Sequence, residues 1–318
     1  VVSEGMICAE DELGISDDHA GIMVLPSETT PGIPLSELIN SYQDSVIEIA
    51  VTPNRPDATS HIGVARDLSA KWDIPLTVPT VTIPEQVAGQ SKNFSISIED
   101  SQKCSRYVGV VIKNIQVSPS PAWLKNRLEA IGLRSINNIV DVTNYVMYEW
   151  GQPLHAFDAD NIKGSSIHVK SFEETYKFTT LDGAIREVPR GSLFICDDEQ
   201  AIAIAGIMGG ENSEVSDSTT TIILESAYFD PSIIRKCAKK LSLQTDASYR
   251  FERGIDSNIQ LTAAIRAADL IKEMNPDAVI TETIDLHPLP KKTSELSLRV
   301  SRVNQILGVD IDEEWIIN

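Results

Sequence analysis

The sequence predicts an α+β protein assembled from more than one module, and three observations carry that expectation. Its 318 residues exceed one ordinary domain of about 100–200 residues. A proline-rich stretch, "DIPLTVPTVTIPEQVAGQSK" at 73–92, has few helix formers and reads as a linker. Beyond it, strand-like and helix-like periods follow one another in mixed order. A hydrophobic share of 42% with 23% charged residues is an ordinary globular balance that can fill a core.

Residues 1–40 are rich in Gly, Pro and acids, with short apolar pieces such as "GIMVL". They read as loops with the last strand or two of an incomplete domain. Next, "SVIEIAVTPNRPDATSHIGVARDLSAKW" reads as a strand, a Pro/Asn turn and a helix. Ile62, Ala65, Leu68 and Trp72 fall at helical spacing and predict one buried stripe. His61, at the start of that helix, is expected to be structural or exposed. A new domain is expected near residue 92.

There "FSISIED" and "RYVGVVIKNI" alternate like strands. In "SPSPAWLKNRLEAIG", Ser120 is the expected N-cap, Pro121 the first helical residue and Gly132 the stop, with Leu124, Leu128 and Ile131 as the apolar stripe. A second helix is predicted over about 136–150, with Ile139, Val142 and Val146 on one face and Gly151 as terminator. "YKFTTLDGAIREV" predicts a hairpin through Asp182-Gly183, and "SLFICDDEQAIAIAGIMGG" a second one. "TTTIILESAYF" reads as a buried strand with Glu225 inside it. Asp230 and Pro231 start a helix, and a longer one after Asp256 uses Leu261, Ala264, Ile265, Ala268 and Ile271. "LSLRVSRVNQILGVDIDEEWI" reads as the start of another domain.

No run approaches the roughly 20 apolar residues of a membrane span, and the first residues lack the basic start and apolar stretch of a signal peptide. The opening without methionine and the stop soon after a helix-like stretch are expected to be cuts in a longer protein. Cys8, Cys104, Cys196 and Cys237 are far apart and form no C-x-x-C pair, which argues against a zinc site or a disulfide framework and fits reduced cytoplasmic thiols. A net charge of −19 predicts weak binding to nucleic acid unless the cations cluster on one face. "DELGISDDHAG" lacks the ligand alternation, central Gly and closing Glu of an EF-hand loop.

Three stretches hold polar groups that packing does not explain. In "DVTNYVMYEWGQPLHAFD", Asn144 falls in the C-terminal half of a helix and His155 just beyond its end. A neutral imidazole there could hold or deprotonate water, although a lone histidine is more often structural. In "AIAIAGIMGGENSEV", Gly206, Gly209 and Gly210 would let a backbone approach a ligand and offer bare N–H groups, or simply form a turn. No G-K-[ST] or G-x-G-x-x-G follows, so it is neither a P-loop nor a dinucleotide fingerprint. Glu225 inside an apolar strand needs a partner, because an unpaired buried charge is costly. Arg250 or Arg253 of "YRFERG" would serve; a ligand's donor group is the alternative.

Taken in order, "TPNRPD", "NNIVDVTNYVMYEWGQPLHAFD", "AGIMGGENSEV", "LESAYFDP", "TDASYRFERGID" and "RVNQILG" resemble the beta subunit of bacterial phenylalanyl-tRNA synthetase across essentially the whole chain. That resemblance implies the tail of an OB-fold tRNA-binding domain at 1–40 and a small helical module at 41–85. It implies an editing module with a mixed or antiparallel sheet at 90–285 and the start of another small domain at 291–318. It implies hydrolysis of mis-charged Tyr-tRNA-Phe, with tRNA-Phe and the alpha subunit as partners, and no aminoacylation by this piece alone. No metal or cofactor is implied for editing; ATP and magnesium belong to the complete synthetase. By the same resemblance Glu225 and the backbone around Gly206 read the tyrosine hydroxyl, while His155 and Asn144 help place the water and the terminal adenosine. Gly209, Gly210, Thr245 and Ala247 line and shape the pocket. The rival reading is a non-catalytic module of the same synthetase that orients tRNA or the partner subunit.

Overall fold

The computed structural model describes residues 5–15, 19–38, 44–85, 87, 93–291 and 294–317. The chain divides into two compact units, residues 1–46 and 47–318. In the first, the described residues form a 3-10 turn at Asp11–Leu13 and the one-turn helix α1 (Leu35–Leu38). No strand occurs among the described residues of that unit, so the expected closing strands are not found there.

The expected strand in "SVIEIAV" at 45–51 does not form, and its residues are mostly exposed because no neighbouring strand pairs with them. Helix α2 (His61–Trp72) follows, capped by Ser60, whose hydroxyl accepts from the Gly63 N–H. Only Ile62 of the predicted stripe is buried; Leu68 is 39% and Trp72 62% exposed. The reason is a narrow support: α2 rests on the last turn of a later helix, where His61 Nδ1 meets the Tyr148 carbonyl at 3.0 Å. The stretch at 73–85 is irregular, as expected of a linker, yet Val81 packs on the helical core.

From Phe94 the chain builds three layers. The strands and helices run β1 (Ser95–Ile98), β2 (Cys104–Lys113), α3 (Ala122–Ala130), α4 (Asn138–Trp150), β3 (Leu154–Asp158), β4 (Ser166–Ser171), β5 (Tyr176–Thr179), β6 (Ile185–Val188), β7 (Leu193–Cys196), β8 (Ala201–Ile204), β9 (Met208–Gly209), β10 (Thr221–Phe229), α5 (Pro231–Leu241), α6 (Asp246–Phe251), α7 (Gln260–Met274), β11 (Val279–Leu286), α8 (Val300–Leu307) and α9 (Glu313–Ile317). The central sheet, ordered β11-β2-β10-β3, is antiparallel throughout. A second sheet, β1-β4-β7-β8-β9, is mixed, with β1 and β4 parallel. The predicted Asp182-Gly183 hairpin is the β5–β6 ribbon, with Gly183 at φ +73°.

Side chains of the central sheet alternate between its faces. Val108, Val110, Ile112, Ile222, Leu224 and Ala156 pack against α3, α4 and α7 in one apolar cluster. Tyr107, Val111, Ile223, Ala227, Phe157 and Ile284 pack against the second sheet in another. β2 is therefore buried on both faces rather than half-exposed. α8 and α9 bury no residue.

Helix boundaries follow local chemistry. Asn137 caps α4 by accepting from the Ile139 and Val140 N–H groups, so that helix starts two residues later than expected and leaves Ile136 62% exposed. Gly151 closes it at φ +80°, as predicted. Ser120 is not the cap of α3: Pro121 holds that position, and the Ser120 hydroxyl donates instead to buried Asp141 at 2.6 Å. Asp141 also accepts from the Ser135 hydroxyl and the Ile136 N–H, so one carboxylate ties the approaches to both helices. Asp230 caps α5 as expected, with Pro231 behind it.

Candidate functional site

The site begins with strand register. Glu225 of β10 lies opposite His155 of β3 and Gly109 of β2, and Gly109 lies opposite Ile284 of β11. Directly opposed antiparallel residues point to the same face, so one cross-strand row carries the carboxylate and the imidazole beside each other. The row faces the second sheet. Gly109 allows that approach, since a Cβ there would lie 2.7 Å from Cδ1 of Ile96.

Glu225 is 7% exposed, and its partner is neither candidate arginine. Arg250 lies over the Tyr148 ring at 4.3 Å and donates to the Asp246 carbonyl. Arg253 lies over the Tyr249 ring at 3.5 Å and pairs with Glu252. The hydroxyl of fully buried Tyr107 instead donates to Oε2 of Glu225 at 2.6 Å. Burial pushes the carboxyl up to about 7, and the Tyr107 hydrogen bond pulls in the opposite direction. The same burial, reinforced by the Glu225 charge, raises the phenol well above its ordinary value.

His155 is half-buried as a residue, but its Nε2 is closed off from solvent and has no hydrogen-bond partner among the described residues. Burial lowers the imidazole to about 4, so it is neutral at pH 7. Phe157 meets the ring edge-on at 4.5 Å between centroids. On the other side stands Gly209, where a Cβ would lie 2.6 Å from Cε1 and 2.8 Å from Nε2. A neutral ring with a vacant buried nitrogen can accept from or donate to a ligand or a water, but does not supply a resident charge.

The glycine turn sits over this face. Gly206 adopts φ +66° among Phe229, Phe251 and Ile234, and no hydrogen bond takes up its N–H among the described residues. Gly210 differs: its N–H donates to the Ile202 carbonyl at 2.8 Å, so it offers no bare amide. A Cβ at Gly210 would strike Asn212 and Phe178, which accounts for glycine there by packing. Thr245 caps α6 in a reciprocal box with Ser248, and its hydroxyl also donates to the Ile207 carbonyl at 3.0 Å. This fixes the turn against α6, where half-buried Ala247 packs on the same core.

Asn144 stands apart from the other seven residues. It is half-buried on α4, in the layer across the sheet, and no hydrogen bond joins it to them among the described residues. One turn later, however, the Tyr148 hydroxyl donates to Asp246 at 2.9 Å, so α4 reaches α6 around β3, the edge strand. Sequence reasoning missed Tyr107 and Gly109. The signal for the tyrosine was present: a phenol inside "RYVGVVI" also needs a partner once buried. A separate groove of about 380 Å³, lined by Arg235, Lys239, Gln244 and Glu252 among others, lies along α5, the turn after it and the end of α6, and includes none of the row.

A buried glutamate and a neutral imidazole thus share one sheet face beneath a glycine turn. Residues 103–276 match the B3/4 domain model, and the chain belongs to that family. It is, further, a homologue of phenylalanine--tRNA ligase beta subunits. It is 50% identical over 313 residues to the beta subunit of Salinibacter ruber, covering 97% of this chain and 38% of that protein. With the Geobacter sulfurreducens beta subunit it shares 47% over 307 residues, 96% of this chain and 38% of the relative. The chain thus spans well under half the length of these relatives. Among solved structures, an N-terminal fragment of the phenylalanyl-tRNA synthetase beta-subunit from Pyrococcus horikoshii aligns with 83% of this chain and 72% of its own, at 15% identity and a TM-score of 0.39.

Proposed function

We propose that the chain carries the proofreading site of a phenylalanyl-tRNA synthetase beta subunit and hydrolyses Tyr-tRNA-Phe. The observation that carries this reading is the cross-strand row in which a solvent-poor Glu225, partnered among the described residues by a tyrosine alone, stands beside a neutral His155.

An apolar pocket that accepts phenylalanine rejects an analogue with one added hydroxyl by only about 10²-fold, so a second sieve is needed. Glu225 supplies the polar test. An ionised carboxylate accepts the phenol O–H, and a phenylalanyl group would leave it desolvated and unpaired. The N–H of Gly206 is a second contact for the same hydroxyl. With the amino acid held, water adds to the ester carbonyl and the ribose oxygen leaves. An aminoacyl ester is already activated, so His155 places the water and need not be a strong base. Asn144, at the helix that wraps the β3 edge, receives the terminal adenosine, while Gly209, Gly210, Thr245 and Ala247 shape the pocket.

In this reading residues 1–40 belong to the tRNA-binding OB-fold, 41–85 to a small helical module, 90–285 to the editing module and 291–318 to the next domain. tRNA-Phe and an alpha subunit are the partners, in the cytoplasm. ATP and magnesium serve the synthetic reaction of the complete synthetase. The test is hydrolysis of Tyr-tRNA-Phe by the assembled synthetase carrying Glu225→Ala or His155→Ala. Each is expected to lose about 10²-fold or more in kcat/KM. Unchanged rates in both would remove the assignment.

A further inference from the structure

The Glu225 carboxylate has one hydrogen-bond partner among the described residues, the phenol of Tyr107. Tyr107 stands on β2 diagonally from Glu225, opposite Ala227 on one side and Leu286 on the other. Its ring is fully buried and its hydroxyl donates to Oε2 at 2.6 Å. The remaining oxygen, Oε1, accepts no hydrogen bond among the described residues, although a carboxylate has room for several donors. Opposite Glu225 on the same strand, Gly109 contributes no side chain to crowd the carboxylate. The pair is thus half-satisfied by construction: one oxygen pinned, one open.

We propose that Tyr107 is a positioning residue for the hydrolysis described above, fixing Oε2 of Glu225 so that Oε1 meets the substrate phenol and sets the preference for tyrosyl over phenylalanyl esters. This rests on the proposed function. Two physical effects combine. A carboxylate on a flexible stem loses rotamer freedom when it binds, and a partner that has already fixed it removes that loss from the binding step. A donor aimed at the charged form also keeps it ionised against the pull of burial, and only the ionised form offers two acceptor oxygens. With its hydroxyl committed to Oε2, Tyr107 acts through Glu225 and governs recognition rather than bond breaking.

The experiment compares Tyr107→Phe with the unaltered protein, as the full-length subunit assembled with its alpha subunit, on Tyr-tRNA-Phe and Phe-tRNA-Phe across pH. Removing one hydroxyl is expected to raise KM for the tyrosyl ester about tenfold with kcat within about twofold, and to lower the tyrosyl-to-phenylalanyl ratio by the same factor. The pH at which tyrosyl hydrolysis falls to half on the acid side moves upward, because the carboxylate protonates more readily without its donor. A phenol that merely fills space would move none of these. Identical KM, ratio and pH midpoint in Tyr107→Phe overturn the proposal. Glu225→Gln run in parallel separates the two levels: if it too hydrolyses at the full rate, the proposed function itself fails, whereas a silent Tyr107→Phe beside an impaired Glu225→Gln fails only the role of Tyr107. If Tyr107→Phe does not fold, a ring-fluorinated tyrosine at 107 decides. Its more acidic hydroxyl is expected to shift the pH midpoint downward, and no shift would overturn the proposal.

Discussion

On one face of the central sheet, Val108, Val110, Ile222 and Leu224 meet α3, α4 and α7; on the other, residues one step along the same strands are Tyr107, Gly109 and Glu225. Both faces are closed to solvent, and their strands are identical. What differs is the layer opposite. Helices offer a continuous apolar stripe, so the first face can be filled by aliphatic side chains alone. The second sheet ends in the short β9 and a glycine turn, whose backbone comes close enough to leave polar groups confronting one another. Burial therefore stabilises one face and sets the chemistry of the other.

The sharpest way to break that contrast is Leu128→Ala on the helical side. The leucine is 1% exposed, and its truncation is expected to cost about 2–5 kcal/mol in chemical denaturation while leaving kcat for ester hydrolysis unchanged. A loss of kcat in protein that is still folded would mean that the helical face does more than support.

The polar face should reveal itself through pH. Glu225, held at about 7 against an ordinary 4.5, binds more protons folded than unfolded between those values, so it lowers stability as pH rises. His155, held at about 4 against 6.5, binds fewer, so it lowers stability as pH falls. Each amounts to about 3 kcal/mol, and between about 4.5 and 6.5 the two slopes oppose one another. His155→Gln should therefore expose a melting temperature that falls as pH rises from 4.5 to 7. Glu225→Gln should expose one that falls as pH drops from 6.5 to 4. Parallel curves in the two variants would refute the assignment of opposite charge preferences.

Gly209→Ala sharpens the comparison further. Its Cβ would meet the His155 ring at 2.6 Å, an overlap expected to cost about 1–3 kcal/mol and to lower hydrolysis more than stability alone explains. Activity that follows melting temperature with no extra loss would show that the imidazole is not held by that backbone. The smallest effect belongs to Thr245→Ala, which removes the α6 cap and the tie to Ile207 for about 1 kcal/mol, measurable by denaturant titration. No change would mean that Ser248 alone holds the helix start.

Elements with strong local grammar were legible in the sequence: the Asp182-Gly183 hairpin, the Asp230-Pro231 helix start and the Gly151 stop. What depends on distant partners was not. Ser120 looked like a cap because its competitor for that hydroxyl, Asp141, lies a helix away. The stripe from Ile62 to Trp72 has sound periodicity but too little surface to rest on. At the site, Glu225 advertised itself as an expensive residue, and His155 as one beside a fixed turn. That they sit in one row is a matter of register between β10 and β3, and that Tyr107 holds the carboxylate is a matter of β2 lying beside β10. Neither is written in local spacing.

The pairing of Gly109 with Glu225 has a consequence for how the protein is made. The central sheet takes its strands from 104–113, 154–158, 221–229 and 279–286, so β2 and β3 leave the ribosome well before β10, the strand between them. At about 5–20 residues per second, the interval between β3 and β10 lasts several seconds. Throughout it, two apolar strands wait without the one that joins them. The nascent chain exposes unpaired strand edges during that interval, and the row of Gly109, Glu225 and His155 is complete only when translation has passed β10.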